Sequence, residues 1–109
     1  MGNAAMEEAL NNLIETLKTT EEYINYRKSY SAIEDDQEAL NCVEGVRELN
    51  VRVAKMTEEE YNAESENIDR KMGELIVNPR VVDFIEAELD FSRLYQHITE
   101  CIIDTLEEE

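Results

Sequence analysis

Few side chains in this sequence are nitrogen or sulfur ligands of a metal: one histidine, His97, and two cysteines, Cys42 and Cys101. His97 and Cys101 are one helical turn apart and share a face if that stretch is helical. A closed zinc site takes four ligands and an iron–sulfur cluster about four thiolates. One chain supplies neither, so a metal- or iron–sulfur-binding redox module would have to be formed across chains by Cys42, Cys101 and His97. The plainer reading packs both thiols as small hydrophobes in a reducing cytosol. Two-metal sites in helical proteins use Glu followed three residues later by His; here Leu94 stands three before His97. Carboxylates are abundant, 27 Asp and Glu against 10 Lys and Arg. They lie mostly opposite the apolar positions, so a solvated face is expected rather than an acid–base pair in a cleft. Asp35, Asp36 and Glu38 lack the Asp-x-Asp-x-Asp-Gly order of a calcium loop. No Gly-rich phosphate loop and no Ser, His and acid constellation stands out. We therefore expect no catalytic residues, no cofactor and no enzyme.

The elements that hold these residues read as helices. Three Gly, one Pro and 42% hydrophobic residues in 109 suit long uninterrupted helices around one modest core. Helix 1 is expected over 4–18, with Met6, Leu10, Leu13, Ile14 and Leu17 on one face. Thr19-x-x-Glu22 reads as a capping box opening a Tyr-rich helix 2. Asp35 or Asp36 caps helix 3, expected over 37–56. Its stripe, Ala39, Val43, Val46, Leu49, Val53 and Met56, advances by three and four. Gly45 interrupts it, either for close helix approach or as a tolerated exposed residue. Thr57-x-x-Glu60 is a second capping box, so helix 4, over 58–76, follows after a very short connection. Short connections force antiparallel neighbours, and helices 3 and 4 should form a hairpin. Between Tyr61 and Ile68 only Ala63 is apolar, so the hairpin tip is thin. Asn78-Pro79 then starts helix 5, over 79–106, roughly 40 Å long. Its apolar face includes Phe84, Phe91, Leu94, Ile98 and Ile102 and is broader than one neighbour covers. Glu107, Glu108 and Glu109 put negative charge where the helix dipole disfavours it, and that end is expected to fray. The fold expected is all-α: the helix 3–4 hairpin packed with a long C-terminal helix and two short N-terminal helices, in a single helical-bundle domain over 1–109.

A formal net charge of −17 repels phosphates and anionic lipids, which excludes direct nucleic-acid binding by the chain alone. A basic protein partner suits the field; the bland alternative is that the charge keeps the domain soluble. No apolar run is long enough to span a membrane. The first residues lack the basic and apolar segments of a signal peptide. Met1-Gly2 begins like a myristoylation motif, but Met6 stands where Ser or Thr is required. A cytoplasmic location is expected. What remains for function is protein-binding surface. The candidates are Val53, Met56 and Tyr61 at the hairpin tip, and Phe84, Phe91, Leu94, Ile98 and Ile102 on helix 5.

The order of local motifs adds to this. Leu17-Lys18 leads into Thr-Thr-Glu-Glu-Tyr, a Tyr-rich helix follows, Asp-Asp-Gln-Glu-Ala occupies 35–39, and Val-Asn-Pro-Arg-Val-Val-Asp-Phe occupies 77–84. Over nearly the whole chain this resembles the YlbF/YmcA family of small bacterial all-helical regulators. The resemblance implies a cytoplasmic protein forming homo- or hetero-oligomers. It also implies a regulator or adaptor of competence, sporulation or biofilm formation, with modulation of RNase Y-dependent RNA processing. Iron–sulfur clusters associated with the family go with members having extra cysteines, and this sequence ends without a cysteine-rich tail. The family carries no agreed catalytic residues to transfer.

Overall fold

The computed structural model describes residues 3–109; the start of the failed myristoylation motif, Met1-Gly2, lies outside them. Five helices follow in order: α1 (Ala4–Leu17), α2 (Glu21–Ser31), α3 (Gln37–Ala54), α4 (Glu58–Leu75) and α5 (Pro79–Glu107). No strand occurs among the described residues, so the fold is all-α, as the periodicities require.

Local hydrogen bonds account for most boundaries. The Asp36 side chain accepts from the Ala39 amide at 3.1 Å, which decides between the two aspartates. Thr57 Oγ1 accepts from the Glu60 amide at 3.1 Å, as a capping box demands. The return contact differs from the usual one, because the Thr57 hydroxyl donates to the Glu60 carboxylate at 3.1 Å. Asn78 Oδ1 accepts from the Arg80 amide at 3.0 Å, and Pro79, which lacks an N–H, occupies the first helical position. The start of α2 corrects the expected register. Thr20, not Thr19, takes the Tyr23 amide at 3.2 Å. Thr19 instead donates its hydroxyl to the Thr16 carbonyl at 2.6 Å, closing the end of α1. With Thr20 as cap, the third helical position holds Tyr23, so no Thr–Glu box forms there. At the other end of the chain α5 stays helical through Glu107 despite its acidic terminus.

The described residues fall into two compact units, Ser29–Ile85 and the remainder up to Lys28 with Glu86–Glu109. The Ser29–Ile85 unit holds most of the buried side chains. Ile33, Ala39, Val43, Val46, Leu49, Ile68, Val81 and Phe84 are buried there. The four inward positions of α3 follow the predicted stripe, with Val53 and Met56 half-buried at its end. Contacts between α3 and α4 are consistent with the expected hairpin. Gly45 belongs to that contact: a Cβ there would stand 2.6 Å from Leu75 Cδ2, so the Leu75 side chain packs over the position and it is not a merely exposed Gly. The Phe84 ring lies 5.8 Å from that of Tyr30, centroid to centroid.

Gly73 is the opposite case. A Cβ added there meets nothing within 4 Å, and the residue sits inside α4. Gly73→Ala is therefore expected to stabilise the chain by about 0.5–1 kcal/mol, by lowering the backbone entropy lost on folding. A rise in the urea midpoint at unchanged slope is the measurement that checks it.

Candidate interaction surface

The second unit, up to Lys28 with Glu86–Glu109, is built on aromatic contacts. Phe91 of α5 is met by three tyrosine rings. Tyr23 lies edge-on at 5.6 Å, Tyr26 stacks at 5.4 Å and Tyr95 stands edge-on at 5.7 Å, between centroids. Offset and edge contacts of this kind add about 0.5–1.5 kcal/mol per pair beyond area burial. They tie the first turns of α2 to the middle of α5. Glu21, Glu22, Asn25, Asp90, Arg93 and Leu94 line an open polar depression beside them, which brings no nucleophile together with a base.

Around this clasp the unit has almost no interior. Neither α1 nor α2 contributes a buried residue to it, and on α5 only Ala87 is buried within its bounds, among the described residues. The apolar stripe of α1 forms as predicted but remains open. Leu13 and Leu17 are half-buried, whereas Met6, Leu10 and Ile14 are exposed. On α5 the covering thins toward the C-terminus. Phe91, Leu94 and Ile98 are half-buried; Tyr95, Ile102, Ile103 and Leu106 are exposed. Charge around these faces is mostly negative. Helix α1 carries Glu7, Glu8 and Glu15, and Lys18 just beyond it reaches back to Glu15 at 3.2 Å. No Lys or Arg follows Arg93 in the chain.

The sequence-derived surface residues distribute unevenly. Tyr61 and Ile102 are exposed, Val53, Met56, Phe91, Leu94 and Ile98 are half-buried, and Phe84 is only 3% exposed. Sequence reasoning put the α1 stripe on one face without offering it as a surface, and so missed Met6, Leu10 and Ile14. No local signal distinguishes them, because an open stripe and a packed one share the same spacing. Of the metal candidates, Cys101 Sγ and His97 Nε2 are 3.6 Å apart on exposed α5. Cys42 belongs to the other unit, half-buried on α3, in a pocket with Asp36, Ala39 and Glu74. No group of three or more His, Cys, Asp or Glu side chains suited to hold a metal ion occurs among the described residues.

The architecture is that of a small all-α protein whose unpartnered feature is an acid-rimmed apolar helical face. The chain belongs to the family described as control of competence regulator ComK, YlbF/YmcA, whose model matches residues 6–107. That family is a regulatory one, and the match covers nearly the whole chain. No curated protein and no solved structure matches the chain. No helix of the described residues is long and apolar enough to cross a membrane.

Proposed function

We propose that this chain is a non-enzymatic regulatory adaptor of the cytoplasm, acting by protein–protein interaction in a homo- or hetero-oligomer. Within that role it modulates RNase Y-dependent RNA processing, and through it competence, sporulation or biofilm formation. Family membership supports the regulatory part. The observation that carries the interaction part is the near absence of buried side chains in one of the two units. A unit of this size without a core leaves its chain entropy uncompensated, and a partner supplies the missing burial. Its exposed Leu10 and Ile14 on α1, and Ile102 on α5, are the contacts assigned to partners, with Tyr61 of α4 a separate contact in the other unit.

The test combines two measurements. Light scattering of the purified chain up to high micromolar concentration reads self-association. Affinity capture from the native cell compares the natural sequence with Leu10→Asp/Ile14→Asp and with Tyr61→Asp. We expect either an oligomer or a stoichiometric partner lost in the α1 double variant, with RNase Y-dependent transcripts altered in cells carrying that variant. A strict monomer, with captured proteins and transcripts indifferent to both variants, would sink the reading.

A further inference from the structure

His97 and Cys101 lie one turn apart on α5, both exposed, with Cys101 Sγ 3.6 Å from His97 Nε2. That spacing has a chemical meaning. Zinc–sulfur bonds of about 2.3 Å and zinc–nitrogen bonds of about 2.0–2.1 Å, at a tetrahedral angle, put sulfur and nitrogen about 3.5–3.6 Å apart. The two side chains therefore already stand as neighbouring ligands of one tetrahedral ion. Thiolate with imidazole is a donor pair that suits zinc. The helix brings the pair together by itself, because side chains four positions apart meet on one face. A thiol–imidazole hydrogen bond occupies the same distance, and metal titration tells the two apart.

The surroundings favour a cation. With about 100° between successive helix residues, His97, Glu100, Cys101 and Asp104 fall within an arc of about 100°. The two carboxylates beside the pair raise the local concentration of cations. No Lys or Arg follows Arg93, and Arg93 itself lines a depression with Glu21, Glu22 and Asp90. Tyr95, Ile102 and Leu106 fall outside the arc, so a metal there leaves the apolar side free. One chain still supplies only two of the four ligands that a structural zinc takes. Cys42 belongs to the other unit and is half-buried on α3, and the set needs no contribution from it. A two-fold axis through the metal presents the same pair twice, which completes a set of two thiolates and two imidazoles from identical helices. It also removes the obstacle to pairing. Each acidic helix end repels its copy, whereas a dication between them is attracted to both.

We propose that His97 and Cys101 form half of a structural zinc site, completed by the same pair of a second copy, so that zinc clips two chains together along the last turns of α5. Each thiol releases its proton to solvent as its sulfur binds, and no electron is transferred. This rests on the oligomer part of the adaptor reading and gives one of its contacts a chemistry.

In the experiment the metal-free full chain is titrated with zinc while light scattering follows its mass, and circular dichroism verifies that each variant is folded. The mass is expected to double at about one zinc per two chains and to return on adding a chelator. Cobalt in place of zinc should show a thiolate-to-metal band and the strong visible bands of a tetrahedral site. Cys101→Ser and, separately, His97→Ala should each abolish both readouts. Both positions are exposed, so neither change disturbs packing. His97→Cys should retain them, because a second thiolate replaces the imidazole. Cys42→Ser should leave them unchanged. Assembly that persists in Cys101→Ser, or cobalt bound without a thiolate band, overturns the proposal, since carboxylates alone then hold the metal. So does a mass that zinc leaves unchanged, whether the chain is then a monomer or a metal-free oligomer. If zinc does nothing while capture through α1 succeeds, the clip falls and the adaptor stands.

Discussion

Replacing Phe84 with Ala is expected to cost about 3–5 kcal/mol of folding stability. The ring is 3% exposed and packs against Tyr30 in the unit that holds nearly all the buried side chains. Truncation removes both the transfer free energy of the ring and its contacts with neighbours that relax only partly. Domains of this size are stable by about 5–15 kcal/mol, so the loss is a large share of the total. Chemical denaturation read by far-ultraviolet circular dichroism checks it. A shift under about 1 kcal/mol would mean that the Phe84 environment is not a close-packed interior. Leu10→Ala on α1 is the internal control. Its side chain is exposed, and the change there is expected within about 0.5 kcal/mol.

Hydrogen exchange of dilute chain should divide the molecule along the same line. Amides of α3 from Ala39 to Leu49, and of α5 around Val81 and Phe84, lie among the buried side chains and open only with global unfolding. Amides of α1, and of α5 beyond Ile98, lie in stretches with no buried residue. They open locally, and exchange is expected to be faster by on the order of a thousandfold. Surface ion pairs do not alter this. Lys18–Glu15 and Arg47–Glu44 are both largely solvent-exposed and contribute about 0–1 kcal/mol each. Uniform protection along all five helices in dilute solution would contradict the division. Protection that rises in α1 and late α5 on adding a binding partner would mark the covered surface directly.

Much of this architecture was legible in the residues because it is local. Asp36, Thr57 and Asn78 cap helices by bonds reaching two or three residues ahead, and such bonds are written in the sequence. The one misplaced cap, Thr19 for Thr20, arose where two threonines adjoin and each can take the role. The α3 stripe was legible down to its individual buried positions. Gly45 was not, because its role depends on Leu75, thirty positions away on another helix. The surface was the least legible part. Met6 and Leu10 on α1 have the same periodicity as Val43 and Val46 on α3, yet the first pair is exposed and the second buried. Periodicity says which way a helix would turn its apolar side, and only tertiary arrangement says whether anything meets it. For the same reason the breadth of the α5 face was readable, while the point along it where covering ceases was not.

The division into units also has a consequence for synthesis. One unit is continuous in the chain, Ser29–Ile85, whereas the other joins residues up to Lys28 with Glu86–Glu109. Synthesis runs from the N-terminus, so α1 is finished before any of Glu86–Glu109 exists. During that interval Leu13 and Leu17, half-buried in the finished unit, join Met6, Leu10 and Ile14 as a ridge available to any chaperone or co-translational assembly partner nearby.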